Sequence, residues 1–466
     1  MVDATRCLDT APIWKQLADY VPDAPRLRGS AGADLVVVGA GLAGLTAAYY
    51  AARERPELNI TVLEAGRIGS GATGASTGIV GPGLKIPLAS LRRKYGDTTA
   101  RAAFGASQHG VNLLRELIRT EQIDCDAREE PHTLAALTPR QRERMAAHLM
   151  HLEQLGYGVE WLGPQDLVER AGPGYVAGFS YENVLLVDPY RLLLGLADAL
   201  RRRGVEIHEH SRVVDMQPAR GGATKLYTAS ADITADRVLL AVDGYAQKLN
   251  PFPNSVVTIR AHVLATDPLS FEQRAALGWN GRGGIIDQRN YFNYYRMTAD
   301  HRLVFGGGPV VVPTGDPVPD ARTADAVQQR LRREIGERFP ILKDVPVVAR
   351  WTALAGSTED RLPVVAPVPG RPGVLYAGAW CGHGLSLAVD SAWRFGRTVG
   401  GSAADSTLPW TRLRGLTLPK PALEAGTRAY LRMLDLADRH DLRTGSPKSR
   451  EDVPGRVAPA EEGVFS

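Results

Sequence analysis

The sequence predicts an α/β fold in which a domain with a parallel sheet is interleaved with an α+β domain built on a mostly antiparallel sheet. Two patterns lead to this fold class. A β-branched run, a glycine turn and a small-residue helix follow one another over residues 34–55, as at the start of a βαβ unit. Short runs that alternate apolar and polar residues occupy 212–247 and 259–308, which is typical of antiparallel strands.

Length, charge and cysteine content narrow the class of protein. The chain has 466 residues, more than a single hydrophobic core supports, so two domains are expected. The formal net charge is only +4 and the arginines are dispersed, which argues against a nucleic-acid partner. Three widely spaced cysteines favour neither a disulfide framework nor a metal site. The N-terminus lacks a basic start and an apolar core, so a cytoplasmic location is predicted.

The βαβ unit opens the series of predicted elements. Its helix ends near Arg55, Pro56 stops it, and a second strand is predicted at 59–64. Residues 35–52 carry no charge, but their glycines divide them into a strand, a turn and a helix, so no membrane span is predicted. The later elements are a helical layer at 89–170, a helix at 190–203 started by Asp188 and Pro189, and strands at 205–210, 237–242, 302–305 and 374–379, with a helix to about Arg397.

A glycine motif stands between the first strand and its helix. Gly39 allows a tight turn, Gly41 lets the backbone approach a pyrophosphate, and Gly44 lets the helix pack closely on the strand. A pyrophosphate then lies at the helix N-terminus, where free N–H groups favour negative charge. The motif consists of Gly39, Ala40, Gly41, Leu42, Ala43 and Gly44.

An acidic residue completes this pattern. Glu64, followed by Ala65, stands at the end of the second strand, where a Rossmann-type domain places a carboxylate that binds a ribose. A carboxylate favours a free 2′-hydroxyl, so NADP is disfavoured as the ligand. Together the two motifs predict a Rossmann-type dinucleotide site.

A run of small residues at 66–78 follows Glu64 directly, and small residues let the backbone approach a flat ligand closely. Here the chain resembles the FAD-dependent D-amino-acid oxidase-like superfamily, and is most similar to its γ-glutamylputrescine oxidoreductase-like and glycine/sarcosine oxidase branches. It departs from their usual G-x-G-A-S-G-R-N-G-G stretch at Ala75 and Ser76. The residues of the run that the resemblance assigns to FAD are Ser70, Gly71, Ala72, Ser76, Thr77 and Gly78.

A second glycine turn lies at 377–385, between a strand and a helix, and is similar to the family's G-x-x-G-H-G flavin turn. Its helix N-terminus, aimed at the flavin N1–C2=O edge, stabilises the negative charge of the reduced flavin. His383 is predicted to orient or polarise rather than to act as a base. Cys381 is interpreted as a small buried residue. Further FAD contacts are predicted at Val213, Ala241, Gly244, Gly378, Gly382, His383, Gly384 and Leu385.

Two positions concern the chemistry of the flavin. The small-residue run has no His or Cys, and Trp351 stands where sarcosine oxidase-like members carry a flavin-linking Cys. The resemblance therefore implies non-covalent FAD. Val304 stands where those members carry an oxygen-activating Lys, so either O2 or another electron acceptor remains open as a partner.

Candidate substrate residues come from the aromatic run 291–295. Tyr295 is predicted to approach the flavin face, and Arg296 to clamp a substrate carboxylate. Arg260 is a second candidate for that clamp. The alternative is an alternating strand with buried aromatic rings and a surface arginine.

The resemblance implies oxidation of an amine or amino acid by hydride transfer to flavin N5. An NAD(P)H-dependent flavin monooxygenase is an alternative, but it needs a second nucleotide site and no second GxGxxG is present. A catalytically silent flavin-binding protein is the other alternative. The predicted division is a strap (1–32), a FAD domain (33–85, 183–250 and 345–400), a substrate domain (86–182 and 251–344), and a C-terminal extension (401–466) with a disordered tail.

Overall fold

The computed structural model describes residues 11–18, 24–245, 249, 252, 255–279, 283–313, 321–403, 407–411 and 419–445. Its strands are β1 (Gly29–Val38), β2 (Ile60–Leu63), β3 (Ile79–Val80), β4 (Arg128–Glu129), β5 (His132–Ala136), β6 (Glu160–Leu162), β7 (Ala177–Tyr181), β8 (Leu185–Leu186), β9 (Glu206–His208), β10 (Asp215–Pro218), β11 (Thr224–Tyr227), β12 (Ala231–Leu240), β13 (Val257–Pro268), β14 (Gly284–Asp287), β15 (Tyr294–Met297), β16 (Arg302–Val311), β17 (Val347–Ser357), β18 (Val364–Pro367) and β19 (Val374–Gly378).

The described α-helices are α1 (Ile13–Gln16), α2 (Leu42–Glu54), α3 (Leu88–Thr120), α4 (Pro139–Gln154), α5 (Pro164–Ala171), α6 (Pro189–Arg201), α7 (Phe271–Ala276), α8 (Ala321–Arg338), α9 (Gly384–Val399) and α10 (Lys420–Gly445). In the part of the chain that the structure covers, none of them has both the length and the apolar character needed to cross a membrane.

The first sheet is built on the predicted parallel strands. β9, β2, β1, β12 and β19 lie side by side and are parallel, with β18 antiparallel at the edge and the β10–β11 hairpin beside β12. Helices α2 and α9 pack against each other on one face, where Leu35, Val37 and Val62 are buried among their apolar side chains. The predicted fold class is confirmed.

The register of these strands brings four turns to one place. Val38 pairs with Leu63 on one side and with Leu240 on the other, and Leu240 pairs with Tyr376 of β19. The ends of β1, β2, β12 and β19 therefore meet at the carboxyl edge of the sheet, where ligands of open α/β sheets bind.

A second, mostly antiparallel sheet has the order β17-β13-β16-β15-β14-β5-β7-β6. Its β17 pairs with β13 along almost the whole strand, so residues 347–357 lie in this sheet, whereas the sequence placed 345–400 in the FAD domain. The alternation of β17 alone does not reveal which sheet it joins, because the partner strand is about ninety residues away. A small third sheet has the order β3-β8-β4.

The chain ends differ from the simple expectation of a strap and a tail. Trp14 of α1 is buried, and its indole Nε1 donates to the backbone oxygen of Ser76 at 2.9 Å. The extension contains helix α10, which the sequence analysis did not predict, and Asp438 and Asp441 of this helix are buried. The proline-rich stretch 446–463, predicted to be disordered, lies outside the described residues.

Candidate functional site

The glycine turn after β1 leaves no room for a side chain at Gly39 or at Gly44. Gly39 has φ of +108°, and a Cβ there would lie 2.5 Å from the backbone oxygen of Ala241. A Cβ at Gly44 would lie 1.9 Å from the backbone oxygen of Gly39. Both contacts are shorter than real Cβ atoms tolerate, so the turn and the close packing of α2 require glycine at these two positions.

Two helices at this edge begin without a side-chain cap. The N-cap residues are Gly41 for α2 and His383 for α9, and neither side chain accepts a bond from its helix. Helix α6 is different, because Asp188 accepts hydrogen bonds from its first N–H groups. In α2 the N–H group of Leu42 is already bonded to Thr73 Oγ1 at 3.3 Å. A helix N-terminus attracts negative charge, so the starts of α2 and α9 suit anionic groups of a ligand.

Glu64 lies beside the first of these helices. Its carboxylate accepts hydrogen bonds from the N–H groups of Ala40 at 2.9 Å and Gly66 at 2.8 Å. Burial raises the pKa of this carboxyl, although the two backbone bonds act against the shift. The side chain keeps some accessible surface and stands where the sequence predicts contact with a ribose.

The small-residue run 66–78, called here the small-residue segment, is held over the carboxyl edge by bonds to its backbone. Trp351 Nε1 donates to the oxygen of Ala75 at 2.8 Å, and Glu209 accepts from Ile68 N at 2.6 Å. Trp351, at the predicted position of a flavin-linking Cys, is thus a buried residue that supports the segment through this hydrogen bond. The sequence analysis missed Glu209, since its partner lies 141 residues away.

The second glycine turn is held by Asp243, another residue that the sequence analysis did not assign to the site. Its carboxylate accepts from Gly356 N at 3.1 Å and Trp380 N at 3.3 Å, and burial raises its pKa. Two non-glycine residues of the turn, Ala379 and Cys381, have φ of +56° and +54°. Such strain persists where surrounding contacts impose it, and Asp243 provides one of those contacts.

Cys381 itself agrees with the interpretation of a small buried residue. Burial raises the pKa of its thiol, and its Sγ contacts the hydroxyls of Ser357 and Thr358 at 3.8 and 3.7 Å. Among the described residues, Cys125 is the other free cysteine.

The predicted FAD residues all lie on the loops and elements around the carboxyl edge, but they differ in exposure. Those that keep accessible surface can touch a ligand with their side chains or outer backbone; the fully buried ones shape the site from behind. The accessible set is Gly41, Ala43, Glu64, Ala65, Ser70, Gly71, Ala72, Ser76, Gly382, His383, Gly384 and Leu385. The buried set is Gly39, Ala40, Leu42, Gly44, Thr77, Gly78, Val213, Ala241, Gly244 and Gly378.

Tyr295 requires a correction. Its hydroxyl is bonded to the Tyr175 hydroxyl at 2.8 Å and to the backbone oxygen of Ala171 at 3.2 Å, in the core on the far face of the antiparallel sheet. Tyr294 instead packs in the cluster that contains Ala75 of the small-residue segment. Strand residues alternate between faces. The predicted flavin-facing role of Tyr295 is therefore wrong, because its neighbour Tyr294 is the residue that faces the small-residue segment.

Arg296 lies on the side of β15 that faces the small-residue segment, and its Nη1 is hydrogen-bonded there. It is fully buried, and its Nη1 donates to the backbone oxygens of Thr77, Gly78 and Val187 at 3.3, 3.2 and 2.9 Å. Burial lowers its pKa to about 9. This geometry ties β15 to the small-residue segment, and the alternative of a surface arginine does not apply.

Arg260, the second clamp candidate, is also buried and donates to Thr352 Oγ1 at 2.9 Å. Val304 is fully buried against Trp351 and Ala75, so the position predicted for an oxygen-activating Lys is apolar.

Three polar side chains, those of His383, His132 and Lys85, lie around the backbone of residues 81–85. His383 approaches Gly83, with its Cδ2 3.5 Å from where a Cβ would be, and His132 approaches Gly81 in the same way at 3.0 Å. Lys85 lies over the ring of Phe292, with Nζ 4.2 Å from the ring centroid. The sequence analysis did not identify Lys85 or His132.

His132 and His383 are both neutral near pH 7. Burial lowers the pKa of His132 to about 4, and burial together with the charge of Lys85 lowers that of His383 to about 4. Within the described chain, neither ring nitrogen of His132 has a hydrogen-bond partner, and Nδ1 of His383 also lacks one. Buried polar atoms without partners are unusual, and an ordered water or a ligand is the usual explanation for them.

Comparison with known proteins connects this arrangement to a family model described as FAD dependent oxidoreductase, which matches residues 34–393. The gamma-glutamylputrescine oxidoreductase of Escherichia coli is 30% identical over 77% of this chain and 82% of its own length. The probable oxidoreductase OrdL of Rhizobium meliloti is 28% identical over 89% of this chain and 93% of its own.

Solved structures show the same fold at lower identity. Glycine oxidase from Geobacillus kaustophilus superposes with a TM-score of 0.66 at 20% identity, covering 83% of this chain and 100% of that one. L-Amino acid deaminase from Proteus myxofaciens, in complex with anthranilate, gives 0.66 at 15% identity, with coverages of 89% and 96%.

Proposed function

Because the chain belongs to the FAD-dependent oxidoreductase family, we propose that it oxidises the C–N bond of an amine or amino acid. FAD held at the carboxyl edge would supply the acceptor for a hydride from the C–H bond beside the amine nitrogen, and hydrolysis of the imine by water would give a carbonyl compound and release the amine or ammonia. The relatives named as a gamma-glutamylputrescine oxidoreductase and a glycine oxidase support a nitrogen-bearing substrate.

The residues of the carboxyl edge fit the parts of FAD. The N-terminus of α2, behind the tight Gly39 turn, would hold the pyrophosphate. Glu64 holds the ribose hydroxyls. The N-terminus of α9, in the turn that Asp243 fixes, favours negative charge on the ring system. Binding is non-covalent in this proposal, since Trp351 is engaged with the backbone of Ala75.

The single observation that carries the proposal is the meeting of two helix N-termini, those of α2 and α9, at the carboxyl edge, with the unpartnered ring nitrogens of His132 and His383 nearby. Orientation of a substrate beside the cofactor accelerates hydride transfer without an obligate acid or base. A histidine with a pKa as low as that of His383 is a weak base, which supports an orienting role.

The test is the visible spectrum of the purified protein under anaerobic conditions. Amines, N-methyl amino acids, and D- and L-amino acids are added in turn. Bleaching of a yellow protein by one of them supports the proposal and identifies the substrate class. A yellow protein that only NADPH bleaches favours the monooxygenase, and one that nothing bleaches favours a silent flavin-binding protein.

The electron acceptor is found in the same experiment. After bleaching, air is admitted and the return of the yellow colour is timed. Rapid return identifies O2 as the acceptor in spite of the apolar Val304, whereas slow return that an artificial dye accelerates identifies a dehydrogenase.

A further inference from the structure

A cavity of about 490 Å³ lies on the far side of the antiparallel sheet from the small-residue segment. Trp279 and Met297 line it, and both belong to the buried core that contains Tyr295, whereas Tyr294 on the opposite face packs with Ala75. A volume of this size is ordinary for a site that binds a small molecule. The cavity is therefore separate from the carboxyl edge where the FAD motifs meet.

The charged residues of this cavity are mainly basic. Arg128 of β4 and Arg274 of α7 line it together with His301. Glu169 of α5 is the single carboxylate among its lining residues in the described chain, and it is exposed. Two fixed positive charges thus face one solvated negative charge. A cleft in which one sign of charge prevails attracts ligands of the opposite sign, so the cavity favours an anion.

Arg128 has donors that the protein leaves unused. Its Nη2 donates to the backbone oxygen of Met297 at 3.2 Å and lies 3.6 Å from a carboxylate oxygen of Asp126. Its Nε is buried and has no hydrogen-bond partner in the part of the chain that the structure describes. A guanidinium carries five N–H donors, so one backbone oxygen and one long ion pair do not satisfy this group.

Arg274 is in the same situation on the other side of the cavity. Its Nη1 is hydrogen-bonded to Nε2 of His301 at 3.1 Å, an imidazole that carries no negative charge. Its Nε is buried without a partner, and within the described ranges the side chain forms no ion pair. A half-buried guanidinium without a counter-ion is costly. A carboxylate or phosphate group matches the planar arrangement of its N–H donors.

We propose that this cavity is a second ligand site, in which Arg128 and Arg274 together bind the carboxylate or phosphate group of a small molecule. Both arginines keep accessible surface, so an anion can reach them from solvent. The buried side chains of Trp279 and Met297 provide an apolar surface for the carbon atoms of that molecule. The ligand is a molecule other than the FAD and the amine that the proposed function requires.

The experiment titrates the FAD-loaded protein with inorganic phosphate and, separately, with succinate, and measures the heat of binding at low salt. Bound FAD already occupies the pyrophosphate position, so the heat does not come from that position. The variants are Arg128→Met, Arg274→Met, Glu169→Gln and the control Arg332→Met, which removes an exposed arginine of α8. We expect each of the first two to weaken the tighter probe at least about tenfold. Glu169→Gln should strengthen it about threefold, because a repelling surface charge is gone.

The gain expected for Glu169→Gln separates a binding site from a structural defect, since a damaged fold does not bind more tightly. Tighter succinate assigns the site to a carboxylate and tighter phosphate assigns it to a phosphate, and either supports the inference. The absence of saturable heat with both probes would overturn it, and so would undiminished binding in both arginine variants. Weaker binding in Glu169→Gln as well would also reject it. The measurement needs no turnover, so its result is independent of amine oxidation.

Discussion

Arg296 uses one guanidinium nitrogen to join three backbone oxygens of two segments. Nη2 of the same guanidinium is buried and has no hydrogen-bond partner in the described chain. From the three bonds of Nη1 we infer that Arg296 positions the backbone of the small-residue segment.

Arg296→Met tests this assignment. The variant removes the donor to Thr77, Gly78 and Val187 while it keeps an apolar stem of similar length. We expect the free energy of unfolding to fall by about 3 kcal/mol, as for loss of charged hydrogen bonds in a buried place, and FAD affinity to fall with it. Urea unfolding and flavin fluorescence measure the two. Normal stability and FAD binding with a raised KM for a carboxylate substrate would restore the clamp hypothesis.

Asp243→Asn tests the support of the second glycine turn. The two carboxylate oxygens accept from Gly356 N and Trp380 N, and an amide offers only one acceptor oxygen. One backbone N–H is then left unpaired, so we expect a loss of about 1–3 kcal/mol in urea unfolding and weaker FAD binding. Asp236→Asn, at an exposed position of β12, the strand that precedes Asp243, is the control. Equal effects of the two substitutions would contradict the assignment.

Helix α10 is hydrogen-bonded to the loop between β14 and β15. Asp438 accepts hydrogen bonds from the N–H groups of Asn290 and Tyr291 at 2.8 and 2.7 Å, and the Tyr291 hydroxyl donates to the oxygen of Leu431 at 2.9 Å. The next residue along this loop is Phe292, the ring beneath Lys85. At the scale of elements, α10 therefore fixes the loop that carries Phe292.

Asp438→Ala should loosen that loop without disturbing FAD. Because the loop that carries Phe292 loses its anchor, we expect a several-fold higher KM for the amine substrate and faster hydrogen exchange at residues 288–293, with unchanged flavin content. Arg432→Ala, exposed on the same helix, should leave both measurements as in the wild type. Protection of the loop in the variant would show that α10 is dispensable for it.

The alternation of side chains along β15 explains why the face of Tyr295 was predicted wrongly. The run 291–295 identifies a β-strand with buried rings, but the sequence does not indicate which parity faces the cofactor. Pairing of Tyr294 with Gly306 and of Tyr295 with Phe305 sets the phase, and with it Tyr294 faces the small-residue segment. A shift of one residue moves every side chain to the other face.

The whole molecule contains buried histidines that link its stability to pH. His262 is fully buried, burial lowers its pKa to about 4, and its ring nitrogens have no partner in the described ranges. The neutral ring is favoured in the folded state, whereas the unfolded chain takes up a proton below about 6.5. Its contribution is complete at pH 7 and is lost as the pH falls from about 6.5 to 4.

His262→Leu should flatten this acid dependence. Each such histidine adds about 1.4 kcal/mol per pH unit to the slope of the unfolding free energy within that window, and the variant removes one of them. Urea unfolding between pH 5 and 6.5 measures the slope, with the exposed His440→Leu as the control. An unchanged slope would mean that His262 keeps an ordinary pKa in the fold.

At this largest scale, the family resemblance stated from the sequence motifs is confirmed by the family match over residues 34–393. FAD dependence and the fold class follow with it. The two glycine turns were recognisable because each lies between a strand and a helix that are contiguous in the chain, and the small-residue segment because it follows β2 directly.

By itself the sequence determined the local features of this protein. Gly39, Gly44 and Glu64 act within a single βαβ unit, where contacts across a few residues leave one solution. Only the tertiary structure decided that Asp243 meets Gly356, that Lys85 meets Phe292, and which face of β15 turns to the cofactor. Those partners are more than a hundred residues apart, and their meeting depends on how two sheets pack, which no local pattern encodes.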